Sequence, residues 1–181
     1  VWYSAARILG GFFTALTLGT VLGWVASRFW VVETLLRPIT AVIKATPVAS
    51  FIILVLLWFS GKNLSVIISM LMVFPVIYMN VLEGIRSADE KLLEMAQVFR
   101  LSVGKKLLYI YLPAVAPFFV SACSVSLGLC WKSGIAAEVI GTPDGSIGAV
   151  FYQAKIFLQT SELLAWTVVV VAVSVAFEKL F

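Results

Sequence analysis

Five uninterrupted apolar runs, each about the 20 residues that a helix needs to cross a hydrocarbon core, dictate where this chain can fold. They extend from about Ala5 to Ser27, from Pro38 to Ser60, from Leu64 to Leu82, from after Lys105-Lys106 to Trp131, and from Leu163 to Phe181. A 181-residue chain that is 62% hydrophobic and 12% charged, with mean hydropathy +1.08, has too little polar surface to clothe a soluble globule. The expected fold is all-α: a polytopic membrane protein with five transmembrane helices, one domain over residues 1–181.

The interruptions organise the chain. Arg28, Glu33 and Arg37 separate the first two runs, and a polar, Gly-rich connection from Lys132 to Gly148 precedes a half-apolar piece, Ala149 to Leu158, that is re-entrant or interfacial. Because the sequence begins at Val1 and stops inside an apolar run, both ends are expected to be trimmed, with a further N-terminal span outside it. The first run lacks the basic n-region and small-residue cleavage site of a signal peptide.

Cytoplasmic loops retain Lys and Arg, so charge sets orientation. With the segment around residues 86–105 inside, that side holds nine: Arg28, Arg37, Lys44, Arg86, Lys91, Arg100, Lys105, Lys106 and Lys179. Arg7, Lys62, Lys132 and Lys155 make four outside, completing the 13 basic residues. The N-terminus is then expected outside and the C-terminus inside. Topology accounts for the net charge of +4 and no nucleic-acid partner is needed.

Several chemistries lack their residues. There is no His, the commonest general base and metal ligand, and no GxxxxGK[ST] loop to hold a nucleotide. Any ATP and Mg must therefore be bound by a partner, and no cofactor is expected in this chain. Cys123 and Cys130 are seven apart and read as small buried apolar residues. Ionisable groups are scarce inside the runs, which argues against a secondary carrier or channel working without ATP, the alternative reading.

Residues 86–105 are patterned as a helix where a plain loop would suffice. Ser87-Ala88-Asp89-Glu90 fits a capping box and predicts a helix starting near Ser87. Leu92, Met95, Ala96 and Phe99 recur at i, i+3, i+4 and i+7 as one apolar face, with Glu90, Glu94 and Gln97 on a polar one. That apolar face serves either to dock a partner or to pack on the spans' own cytoplasmic ends.

From Glu94-Met95-Ala96 through Arg100 to Ile110-Tyr111-Leu112-Pro113, the spacing is similar to the EAA loop of ABC importer permeases, Glu-Ala-Ala, three residues, Gly, nine residues, Ile-x-Leu-Pro. The chain thus resembles a type I ABC importer transmembrane permease subunit. Ile110, Leu112 and Pro113 fall in register; Met95 replaces Ala, and Arg100 replaces a Gly suited to a left-handed turn. Gly104 is expected to take part of that reversal. Ala45-Thr46-Pro47-Val48 before Leu57-Trp58-Phe59, Gly84-Ile85-Arg86-Ser87, and Ala137-Glu138-Val139-Ile140-Gly141 look like the nitrate, sulfonate and taurine branch.

The resemblance implies a prokaryotic inner-membrane, multi-pass permease that is not itself an enzyme. Its implied partners are two cytoplasmic ATPase subunits, a second permease subunit (a copy of itself), an extracytoplasmic binding protein carrying a small anion or vitamin precursor, and membrane lipid. Leu92, Met95, Ala96 and Phe99 would then dock the coupling helix on an ATPase, with Ser87 at its start and Lys91, Glu94 and Arg100 at the rim.

Other features admit two readings. Gly11, Ala15, Gly19 and Gly23 form a small-residue stripe for close helix packing, with a partner in the same or another subunit. Pro47, Pro75, Pro113 and Pro117 are hinges or ordinary bends. Lys132 and Glu138, placed on the outer connection, either meet an entering solute or are a snorkelling Lys and a solvated Glu. The Trp residues at 2, 24, 30, 58, 131 and 166 are expected mostly as interfacial anchors.

Overall fold

The computed structural model describes residues 1–180, so the expected end of the fifth span at Phe181 lies outside the described residues. All regular structure in them is helical: α1 (Trp2–Arg28), α2 (Trp30–Ala45), α3 (Val48–Trp58), α4 (Gly61–Arg86), α5 (Glu90–Val98), α6 (Val103–Lys106), a π-helical segment (Leu107–Tyr111), α7 (Leu112–Gly141), α8 (Ile147–Ile156) and α9 (Thr160–Leu180). Among the described residues four helical stretches are long and apolar enough to cross a membrane: α1, α4, the run Val103–Gly141 and α9. The bent pair α2 and α3 makes a fifth.

The core is α4, flanked by α1 and α7. The stripe on α1 is what permits this: Gly11, Ala15, Gly19 and Gly23 are all buried and face α4 of the same chain. A Cβ at Gly11 would lie 2.5 Å from the Val66 carbonyl oxygen and 2.8 Å from Ser69 Cβ, and one at Gly19 would lie 3.0 Å from Ile77. Backbones this close gain dispersion contacts where lipid offers no hydrophobic drive between helices. Ile8, Phe12, Val73, Ile77 and Val81 fill the rest of the seam, with Cys123 and Cys130 buried and free beside them.

Two expected spans change. The run from Pro38 to Ser60 is not one straight helix: Pro38 is inside α2, and the chain bends by 108° between α2 and α3. Pro47 has no N–H to continue the ladder and pushes Thr46 out of the helical region, to φ −84° and ψ 133°. α2 packs on α4, from Glu33, whose carboxylate pairs with Arg86 at 2.5 Å, to Lys44, whose Nζ is 3.6 Å from Met79 Sδ.

The fourth span does not end at Trp131. α7 continues ten residues further to Gly141, so Lys132 and Glu138 lie on a helix and not on an outer connection. Lys132-Ser133-Gly134 reads as a turn in water, but here Gly134 packs on Ile8 and Ser69, and Ser133 Oγ donates to the Cys130 carbonyl at 3.3 Å. Trp131 is likewise no interfacial anchor; it is buried, and its Nε1–H donates to the Val170 carbonyl at 3.1 Å, tying α9 to α7. The half-apolar piece forms the short α8 against α7 and α9.

Candidate functional site

α4 ends at Arg86, three residues short of the next helix. The helix predicted from Ser87 starts instead at Glu90: Asp89 is the N-cap, its Oδ1 accepting from the Lys91 N–H at 2.9 Å, while Ser87 Oγ donates back to the Gly84 carbonyl at 2.9 Å. Ser87 is thus the C-cap of α4. A carboxylate at the N-cap also answers the positive end of the helix dipole.

The far end of α5 closes in a Schellman motif. Leu101 N–H donates to the Ala96 carbonyl at 2.9 Å and Arg100 N–H to Gln97 at 3.0 Å, with Arg100 left-handed at φ 49°. Arg100 therefore makes the turn that the family pattern gives to Gly, at a cost on the order of 1 kcal/mol. Gly104 takes no part in it and is helical within α6. Leu101 packs on Ala96, the apolar contact that accompanies this motif.

The apolar residues of α5 divide between two faces. Ala96 is fully buried and clusters with Ala88, Leu93, Leu101 and Ile110, so it belongs to the inner face and not to a docking face. Leu92, Met95 and Phe99 point outward and are 42%, 45% and 72% exposed. Glu94, Lys91 and Arg100 surround them in solvent. Packing on the chain's own spans is thus achieved by Ala96 and Leu93, and four larger apolar side chains, Leu92, Met95 and Phe99 together with Val98, are left uncovered.

Ile110 reaches from the next helix into the Ala96 cluster. Its helix runs from Val103 to Gly141 as one stretch, interrupted by the π-helical turn Leu107–Tyr111, where Leu112 N–H reaches the Leu107 carbonyl. Pro113 explains the widening: it has no N–H for the Tyr109 carbonyl, and its ring would crowd that oxygen in an α-helical ladder. Leu112 is exposed and Pro113 lies in the first turn of α7. The motif end at Ile110, Leu112 and Pro113 is therefore a joint between the surface helix and a span.

At the opposite end of the bundle Glu138 is fully buried, not solvated. Its Oε2 accepts from Ser4 Oγ at 2.7 Å and from the Gly148 N–H at 3.4 Å, while Ser4 Oγ accepts from the Ile147 N–H at 3.0 Å. Three elements, α1, α7 and the start of α8, meet at this carboxylate. Lys132 is exposed on α7, as are Ser121 and Val125.

Sequence reading missed a polar cleft of about 490 Å³ between α2, α4 and α7, with Arg37, Thr40, Tyr78, Asn80 and Phe118 on its walls beside the Glu33–Arg86 pair. Its signal is the spacing of Asn80, Glu83 and Arg86, three residues apart along one side of a span. Among the described residues no group of three His, Cys, Asp or Glu side chains is placed to hold a metal.

Comparison with known proteins bears on the family and the fold. A putative aliphatic sulfonates transport permease protein of Bacillus subtilis (strain 168) is 30% identical over 168 residues, covering 92% of this chain and 60% of that protein. A taurine transport system permease protein of Escherichia coli (strain K12) is 26% identical over 97% of this chain and 64% of its own length. The chain thus spans about 60% of the length of these relatives. A crystal structure of an amino acid ABC transporter with histidines shares the fold, with TM-score 0.69 at 15% identity over 97% of this chain and 87% of that one. The profile of binding-protein-dependent transport system inner membrane components matches residues 15–178, and the chain belongs to that family.

Proposed function

We propose that this chain is the permease subunit of an ATP-driven importer in a prokaryotic inner membrane, carrying a small anion or vitamin precursor delivered by an extracytoplasmic binding protein. It works with a second permease subunit, a copy of itself, and two cytoplasmic ATPases that bind ATP and Mg. Hydrolysis occurs on those ATPases and this subunit is not an enzyme. The N-terminus faces outside and α5 faces the cytoplasm, consistent with the basic residues around α5.

One observation carries the reading: Leu92, Met95 and Phe99 are exposed on a short helix fixed at both ends and seated by Ala96 against the π-helical joint to α7. A rigid helix with an uncovered apolar face suits a groove on a moving partner and transmits its displacement as a unit. Lys132, exposed on α7, supplies positive charge where an anion passes, and the polar cleft around Arg37 and Asn80 forms the inner part of the path.

The test is to purify the chain with its natural partners and replace Glu94 and Phe99 with Ala. The double variant is expected to retain assembled spans yet to uncouple ATP hydrolysis from uptake. Normal ATP-driven uptake would defeat the coupling role, and uptake with no ATPase present would establish a carrier or channel instead.

A further inference from the structure

Beneath α5, where α1 ends, the surface holds a cleft of two characters. One half, about 610 Å³, sets Ser27, Arg28, Gln97 and Lys106 among the apolar side chains of Ile85, Leu93 and Val103. The adjoining half, about 440 Å³, is an apolar groove between Val21 and Val25 of α1 and Val115 of α7. Trp24, Leu107 and Tyr111 border both halves, and the Trp24 and Tyr111 rings stand edge to face at 5.6 Å across the division. Among the described residues neither Arg28 nor Lys106 has a carboxylate within ion-pair distance.

We propose that this cleft binds an anionic glycerophospholipid, its phosphate between Arg28 and Lys106 and one acyl chain in the groove toward Val115. The argument is charge complementarity joined to continuity. Two cations with no carboxylate partner among the described residues attract an anion, the cleft lies at the basic end of a membrane bundle, and the groove that opens from it runs along the spans and is apolar. Trp24 and Tyr111 sit at the boundary that aromatic residues occupy between headgroup and hydrocarbon. Arg28 ends α1, whereas Gln97 and Lys106 lie on α5 and α6, so the headgroup bridges a span and the surface segment.

The test compares the purified protein in nanodiscs of phosphatidylglycerol and of phosphatidylcholine, counting retained lipid by native mass spectrometry. Wild type is expected to retain phosphatidylglycerol about tenfold over phosphatidylcholine, R28Q/K106Q to lose that preference while keeping its thermal midpoint in phosphatidylcholine, and K105Q to behave as wild type. Equal retention of the two lipids by wild type, or an unchanged preference in R28Q/K106Q, overturns the proposal. If R28Q/K106Q is destabilised in phosphatidylcholine, the single variants R28K and K106R decide: both are expected to keep the preference, and its loss in them overturns the site. Glycerol 3-phosphate stabilising the protein as strongly as the lipid would reduce the site to a free-anion site and overturn the lipid assignment. A benzophenone attached at V21C is expected to capture lipid; capture of a protein segment instead makes a helix the occupant and overturns it too.

Discussion

Arg100 is held left-handed by what surrounds it, since the Schellman hydrogen bonds and the Leu101–Ala96 contact hold the turn that its own Cβ disfavours. R100G should therefore raise stability by about 1 kcal/mol, and R100V, β-branched in the same conformation, should lower it. The thermal midpoint read with a thiol-reactive dye checks this, because Cys123 and Cys130 are buried until the bundle opens. Glu138 makes the opposite point. Gln keeps an acceptor for Ser4 and Gly148, so E138Q should fall close to wild type, while E138A leaves the Gly148 N–H without its partner, at about 1–3 kcal/mol. An E138Q midpoint as low as that of E138A would show that the carboxylate charge itself is required. The carboxylate was legible as part of a motif but not as a buried node, because Lys132-Ser133-Gly134 resembles a turn in water and is a packing stretch within lipid.

Between elements, the α1–α4 seam rests on residues that have no side chain to contribute. G11A must push the helices apart or distort them, at about 1–3 kcal/mol, because its Cβ would sit 2.5 Å from the Val66 oxygen. Gly10, one residue away, has nothing within 4 Å, so G10A should stabilise by up to about 1 kcal/mol through helix propensity. The same dye midpoint compares them; a G11A protein as stable as G10A would remove the close-approach account. Periodicity made the stripe readable, whereas its partner was not, since spacing on one helix does not say which neighbour it faces. The short surface helix was equally plain in pattern, yet its start was misplaced: Ser87 and Asp89 both suit an N-cap, and Ser87 Oγ is engaged by the Gly84 carbonyl of the preceding helix.

Across the whole molecule the two ends of the bundle are built differently. One end is drawn together by a buried carboxylate that joins α1, α7 and α8. At the other end α5 is attached through the small Ala96 cluster and the π-helical turn before Pro113, and the faces of α5 are largely solvated. Local opening follows local contact density, so amides of residues 90–106 should exchange hydrogen fastest among the helices, and those of α4 slowest. If the ends are independent, E138A should accelerate exchange at residues 1–8 and 146–150 while leaving residues 90–106 unchanged. P113A, which restores the missing donor, should do the reverse, shifting the π-helical turn toward α-helical spacing and slowing exchange at residues 107–112. Hydrogen exchange read by mass spectrometry in detergent distinguishes the outcomes: a change at residues 90–106 in E138A would mean that the Glu138 node and α5 share one cooperative unit, whose displacement then moves the whole bundle and not the α5 end alone.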